Sequence, residues 1–78
     1  MAISVTEKRA AAVKDAARPL GATALDNDER NLWDIAIAGA HIGQVRHDPR
    51  ARVWLAKARG ESTVGDLDGC LRFVVGRR

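Results

Sequence analysis

The chain has 78 residues, 46% hydrophobic, 29% charged and 4% aromatic, with a formal net charge of +3. That length holds one small domain and excludes a second, and a core of this size supplies only about 3–5 kcal/mol of net stability. Cys70 is the sole cysteine, so disulfides cannot stiffen the domain, and no Cys/His set has the paired spacing of a structural zinc site.

No metal and no cofactor are therefore expected, and oligomerisation or partner binding remains as a source of stability, a homodimer being one form of it. A lone cysteine suits a reducing compartment, and the N-terminus lacks the apolar run of a signal peptide, so a cytoplasmic location is expected. The longest weakly charged run, residues 35–45, is well short of the roughly 20 apolar residues that span a bilayer, so no membrane partner is expected. Positive charge is concentrated in the C-terminal part. Residues 1–45 carry five basic and six acidic side chains, residues 46–78 eight and four. Such asymmetry fits an acidic or nucleic-acid partner. Ten Arg against three Lys, beside fourteen Ala, is equally what a GC-rich coding sequence yields.

In chain order, Ser4 with Glu7 forms a capping box, and Ala10, Val13, Ala17 and Leu20 recur at helical spacing. Pro19 and Gly21 close that helix, which is predicted over 5–17. Asp26 with Glu29 offers a second start, for a central helix over 27–46. Leu32, Ile35, Gly39 and Ile42 form one of its faces and Trp33, Ile37 and Ala40 an adjacent one. Gly39 and Gly43 lie one turn apart, each costing roughly 1 kcal/mol against alanine in a helix interior, which marks them as a helix-packing or dimer seam. Asp48 as N-cap and Pro49 at the first position open a basic third helix over 49–59, ending at Gly60. Thr63 with Asp66 then caps a fourth helix over 63–75, with Val64, Leu67, Leu71 and Val74 on its apolar stripe. Gly76-Arg77-Arg78 reads as a frayed tail. The expected fold is all-α, a small bundle of three or four short helices in one domain.

Catalytic constellations are poor, and the chain reads as a non-enzyme. His41 and His47 are six apart, not the three or four that bring two ligands to one helix face. Cys70 has no basic neighbour to favour a thiolate and reads as a core filler. Asp26, Asp28 and Glu29 are explained by the dipole of a helix start, and Gly60, Gly65 and Gly69 lack the preceding strand of a phosphate loop.

Binding is the function that the residues permit best. The candidate contacts are Arg46, Arg50, Arg52, Lys57 and Arg59, with Trp54 among them as a partly exposed anchor, since Trp and Arg dominate interface hot spots. The expectation is a non-catalytic protein that associates stoichiometrically with a larger partner bearing an acidic surface; by analogy of size and composition alone, small inhibitors and adaptors of phage and mobile elements are of this type. The alternative is a dimeric helix-turn-helix-like regulator that lays the helix 49–59 in duplex DNA. Its details fit badly. Placing the turn glycine at Gly43 puts Pro49 in the buried aliphatic position, and placing it at Gly60 puts Asp66 there.

Overall fold

The computed structural model describes residues 5–27 and 31–76. Among them the chain forms helix α1 (Val5–Ala17), strands β1 (Thr23–Asp26), β2 (Leu32–Ile37), β3 (Ala40–Asp48), β4 (Val53–Ala58) and β5 (Glu61–Gly65), and helix α2 (Leu67–Gly76). The strands make one antiparallel meander in the order β1-β2-β3-β4-β5. The fold is thus a five-stranded sheet with a helix before and a helix after it, and the all-α bundle expected from the sequence does not form. The described part of the 27–46 segment is the β2–β3 hairpin, the 49–59 segment is a turn followed by β4, and the 63–75 segment is split between β5 and α2.

Two tight turns explain the difference. β2 and β3 pair from Leu32↔Arg46 to Ile37↔Ala40, leaving Ala38-Gly39 as a two-residue loop with φ of 52° and 81°. β4 and β5 pair down to Ala58↔Glu61, and Arg59-Gly60 between them has φ of 50° and 77°. Positive φ at both central residues is the I′ turn, whose twist matches that of paired strands. The expected helix over 27–46 would need Ala38-Gly39 in the right-handed region, whereas at Arg59-Gly60, where a helix end was expected, the chain reverses between two strands; glycine second in each pair makes the left-handed form accessible.

The β3–β4 connection shows how a sound local signal was extended too far. Asp48 does cap: its Oδ1 accepts the backbone N–H of Arg50 at 2.9 Å and of Ala51 at 3.3 Å. Its carbonyl accepts Arg52 N–H at 2.8 Å, but Arg52 then turns left-handed, with φ of 57°, and the chain leaves as β4 after a single turn. At the start of α2 the capping residue is Asp66, whose Oδ1 accepts Gly69 N–H at 2.7 Å and whose carbonyl accepts Cys70 N–H at 3.0 Å. The helix starts later than expected because Thr63 is still paired to Ala56 in the sheet. The capping box of Ser4 and Glu7, the acids Asp28 and Glu29, and the tail at Arg77-Arg78 lie outside the residues whose side chains are described.

Both helices cover one face of the sheet. Ile35, Val45, Ala56 and Ala58 point into the core, where they meet Val13 and Ala17 of α1 and Cys70, Leu71 and Val74 of α2. Ile42 is the extra residue of a β-bulge, since Ile35 pairs with Gly43 while Ala36 pairs with His41, and it packs half-buried against the same core. Alanines and Gly43 on the inner side let α2 lie close to the strands. At the end of the sheet nearest the β3–β4 turn, Trp33, His47 and Trp54 fill the inner side, with ring centroids 5.7 Å apart for the two tryptophans and 4.9 Å for His47 and Trp54.

Candidate binding face

Alternation along each strand sends the remaining side chains to the opposite face, which carries no helix among the described residues. Strand register arranges them in two cross-strand rows. One runs Leu32–Arg46–Leu55–Val64, the other Leu25–Asp34–Gln44–Lys57–Ser62. Leu25 is 49% exposed and Val64 61%, and Leu32 and Leu55 are half-buried. A depression of about 350 Å³ lies between the rows, lined by Leu32, Gln44, Arg46, Leu55, Lys57 and Ser62. A second depression, of about 500 Å³, gathers His41, Gln44, Lys57, Arg59 and Ser62, all of which can donate hydrogen bonds.

The charges on this face are unevenly satisfied. Asp34 accepts hydrogen bonds from Asn27 Nδ2 at 2.9 Å and Gln44 Nε2 at 3.2 Å, and its Oδ1 lies 3.1 Å from His41 Nε2. The bond from Asn27 above all, opposed by desolvation and aided by Gln44 and His41, holds its carboxyl below the ordinary carboxylate value. Asp48 is spent on the β3–β4 turn. Arg46 and Lys57 are both exposed, and neither has an ion-pair partner among the described residues. They sit diagonally on adjacent strands, since Arg46 faces Leu55 and Gln44 faces Lys57, a separation of about 7–8 Å between backbones.

The sequence-derived candidates therefore fall in three places. Arg46 and Lys57 share the open face. Arg50 and Arg52 are in the β3–β4 turn and Arg59 in the β4–β5 turn, at opposite ends of β4. Arg59 follows Arg52 by seven positions, with the six residues of β4 between them, roughly 23 Å at the rise of a strand. The basic helix over 49–59 that would have carried Arg50, Arg52, Lys57 and Arg59 does not exist. Trp54 lies on the inner side, half-buried against the core and in contact with Trp33 and His47. Gly39 is in the β2–β3 turn, and Gly43 is a strand position against which α2 packs. Leu25, Leu32, Gln44, Leu55 and Val64 were missed as surface residues. The period-two alternation of Gln44-Val45-Arg46-His47 and Trp54-Leu55-Ala56-Lys57 was the available signal.

The Asp34–His41 pair is the nearest approach to acid–base chemistry. Ser62 shares a depression with His41 but belongs to β5, two strands from β3, or roughly 10 Å at the usual strand spacing. That is beyond the hydrogen-bond reach a base needs to activate a hydroxyl. Cys70, the sole thiol, is buried beneath α2, and burial together with Asp66 pushes its pKa up. No group of His, Cys, Asp and Glu among the described residues could hold a metal ion. No helix among them is long and apolar enough to cross a membrane. No protein-family model, curated protein or solved structure matches the chain.

Proposed function

We propose that the chain is a non-catalytic binding domain that associates stoichiometrically with an acidic protein surface through the open face of its sheet. The observation that carries this reading is the unequal satisfaction of charge there. The carboxylate of Asp34 is taken up by three neighbours, while Arg46 and Lys57 stand without ion pairs among the described residues. Leu25, Leu32, Leu55 and Val64 surround them with apolar surface. Aliphatic contacts beside arginine are what a protein interface uses, with the charges setting orientation and encounter rate.

Duplex DNA is the less favoured partner for a geometric reason. The helix over 49–59 that would have entered a groove is replaced by a turn and β4. The cations it would have aligned are distributed to both ends of that strand. A phosphate backbone rewards many aligned cations, and affinity then falls steeply with salt.

Two experiments decide between these readings. Tagged wild-type protein and a R46E/K57E variant are used to capture partners from cell extract, and the captured mass is compared after both proteins are shown to have the same circular dichroism and thermal midpoint. One acidic partner at fixed stoichiometry, lost with the variant, is the expected result. Equal capture by both proteins overturns the assignment of this face. Fluorescence anisotropy with random duplex DNA at low and near-physiological salt gives the second arm. No saturable binding is expected, and tight binding with a steep salt slope replaces the protein partner with nucleic acid.

A further inference from the structure

The two edges of the sheet are not equivalent. β1 is four residues long, and α1 flanks it: Lys14 Nζ reaches Asp26 Oδ2 at 3.3 Å, and Ala22 N–H bonds back to the Ala17 carbonyl at 3.1 Å. β5, Glu61–Gly65, is less protected, its one charged residue, Glu61, lying at the turn end of the strand. It contains no proline, lysine or bulge, its pairing with β4 is regular throughout, and four of its five residues are exposed. Open edges of this kind pair with further strands.

The hydrogen-bonding direction of that edge follows from the turn before it. In a two-residue I′ hairpin the closing pair, here Ala58↔Glu61, exchanges both backbone bonds, and bonded pairs then alternate along the ladder. Ala56↔Thr63 and Trp54↔Gly65 continue the bonded set. Ser62 and Val64 consequently turn N–H and C=O outward, away from β4.

We infer that β5 pairs antiparallel with β5 of a second copy, about a two-fold axis at Val64, to make a ten-stranded sheet. An axis perpendicular to the sheet keeps both open faces on the same side, and it requires the pairing to be centred on a residue. Centring on Val64 lets each Val64 N–H donate to the other's carbonyl. It also places the most exposed large aliphatic side chain of the described residues, at 61%, against its own copy. The apolar and basic row Leu32–Arg46–Leu55–Val64 then continues without interruption into the same row reversed. The flanking pairs set Ser62 opposite Asp66 of the second copy, so no like charges face each other. A second copy is the occupant because this register is self-complementary. The inference concerns the strand edge and does not depend on what the open face binds.

Sedimentation equilibrium of the full chain from micromolar to millimolar concentration reads the association directly, and doubling of the mass is expected. Val64→Pro removes an N–H that the β4 ladder does not use, so it should stay folded by circular dichroism and run as a monomer. Val64→Lys, which places two ammonium groups together, should also be monomeric. In a Cys70→Ala background, Val64→Cys should form a disulfide-linked dimer on mild oxidation, since directly opposed bonded residues are about 5.5 Å apart between Cα atoms. Leu25→Cys, on the opposite edge, should not. A wild-type chain that stays monomeric at millimolar concentration, a folded Val64→Pro that still dimerises, or crosslinking at Leu25 instead of Val64 overturns the inference.

Discussion

Gly43 stands directly under Val74. A methyl group added at Gly43 would lie 2.8 Å from Val74 Cγ1, 2.5 Å from the Lys57 carbonyl oxygen and 3.2 Å from Ala58 Cβ. The glycine is there because the β4 backbone at Lys57 and the side chain of Val74 on α2 both come too close to allow any side chain. Gly43→Ala should therefore cost about 1–3 kcal/mol, the usual range for forcing an extra carbon into a packed core. Urea unfolding measures it, and a loss below about 0.5 kcal/mol, on the order of a surface change, would mean that Gly43 is not packed between the β4 backbone and α2.

Ala38 occupies the first position of the β2–β3 turn with φ of 52°, a region where its Cβ crowds the carbonyl. Asparagine tolerates that region better, and Ala38→Asn should stabilise by about 1 kcal/mol. The thermal midpoint should rise. A fall would indicate that the 38–39 segment is not a left-handed turn.

His47 is held neutral. Its Nδ1 is buried without a hydrogen-bond partner among the described residues, and desolvation, with a smaller contribution from the charge of Arg9, lowers its pKa below the ordinary 6.5. The unfolded chain takes up the proton first as pH drops. The stability linked to this group is thus complete above the ordinary histidine value and declines as pH falls from there through the folded-state pKa. Denaturation between pH 7.5 and pH 5 should show that slope, and His47→Phe should flatten it while packing edge-on to Trp54 in the same place. Because the change also removes an unsatisfied buried nitrogen, its cost at pH 7.5 should be about zero. A slope unchanged in the variant assigns the titration elsewhere.

Cys70 is 1% exposed, and its thiol pKa is raised first by burial and then by Asp66. A protonated, covered sulfur is a poor nucleophile. A colorimetric thiol reagent at pH 8 should release nothing from the native protein within minutes and one equivalent after denaturant is added. Rapid native reaction would place the cysteine at the surface.

Local chemistry was legible in the sequence, and long-range periodicity was not. The predicted first helix coincides with α1 and Asp48 caps as expected, whereas Asp66, expected three residues inside a helix capped by Thr63, is itself the cap of α2. Of the predicted stripe Val64, Leu67, Leu71 and Val74, α2 buries Leu71 and Val74, along with the expected core filler Cys70, whereas Val64 is an exposed strand residue. Residues 32–37, Leu-Trp-Asp-Ile-Ala-Ile, were misread because they are apolar on both sides of the strand, which erases the alternation. The bulge at Ile42 then shifts the phase of the alternation in β3. Alanine-rich composition favoured helix throughout, although Ala56 and Ala58 are strand residues made small by the helices above them. The two glycines assigned to the interior of the central helix were the evidence against it.

The candidate face shows the same division. The sequence alone determined which charges exist and that they concentrate after residue 45. It also determined that Asp48 would be used by nearby backbone N–H groups, because those bonds close within three residues. Only the tertiary structure decided that Arg46 and Lys57 share a face while Arg52 and Arg59 stand at opposite ends of β4. A strand rises about 3.3 Å per residue and a helix 1.5 Å, so the same spacing that clusters side chains on a helix disperses them along a sheet. A strand is stable only when neighbouring strands satisfy its backbone, and those neighbours are supplied by turns and pairings that no single window of sequence contains.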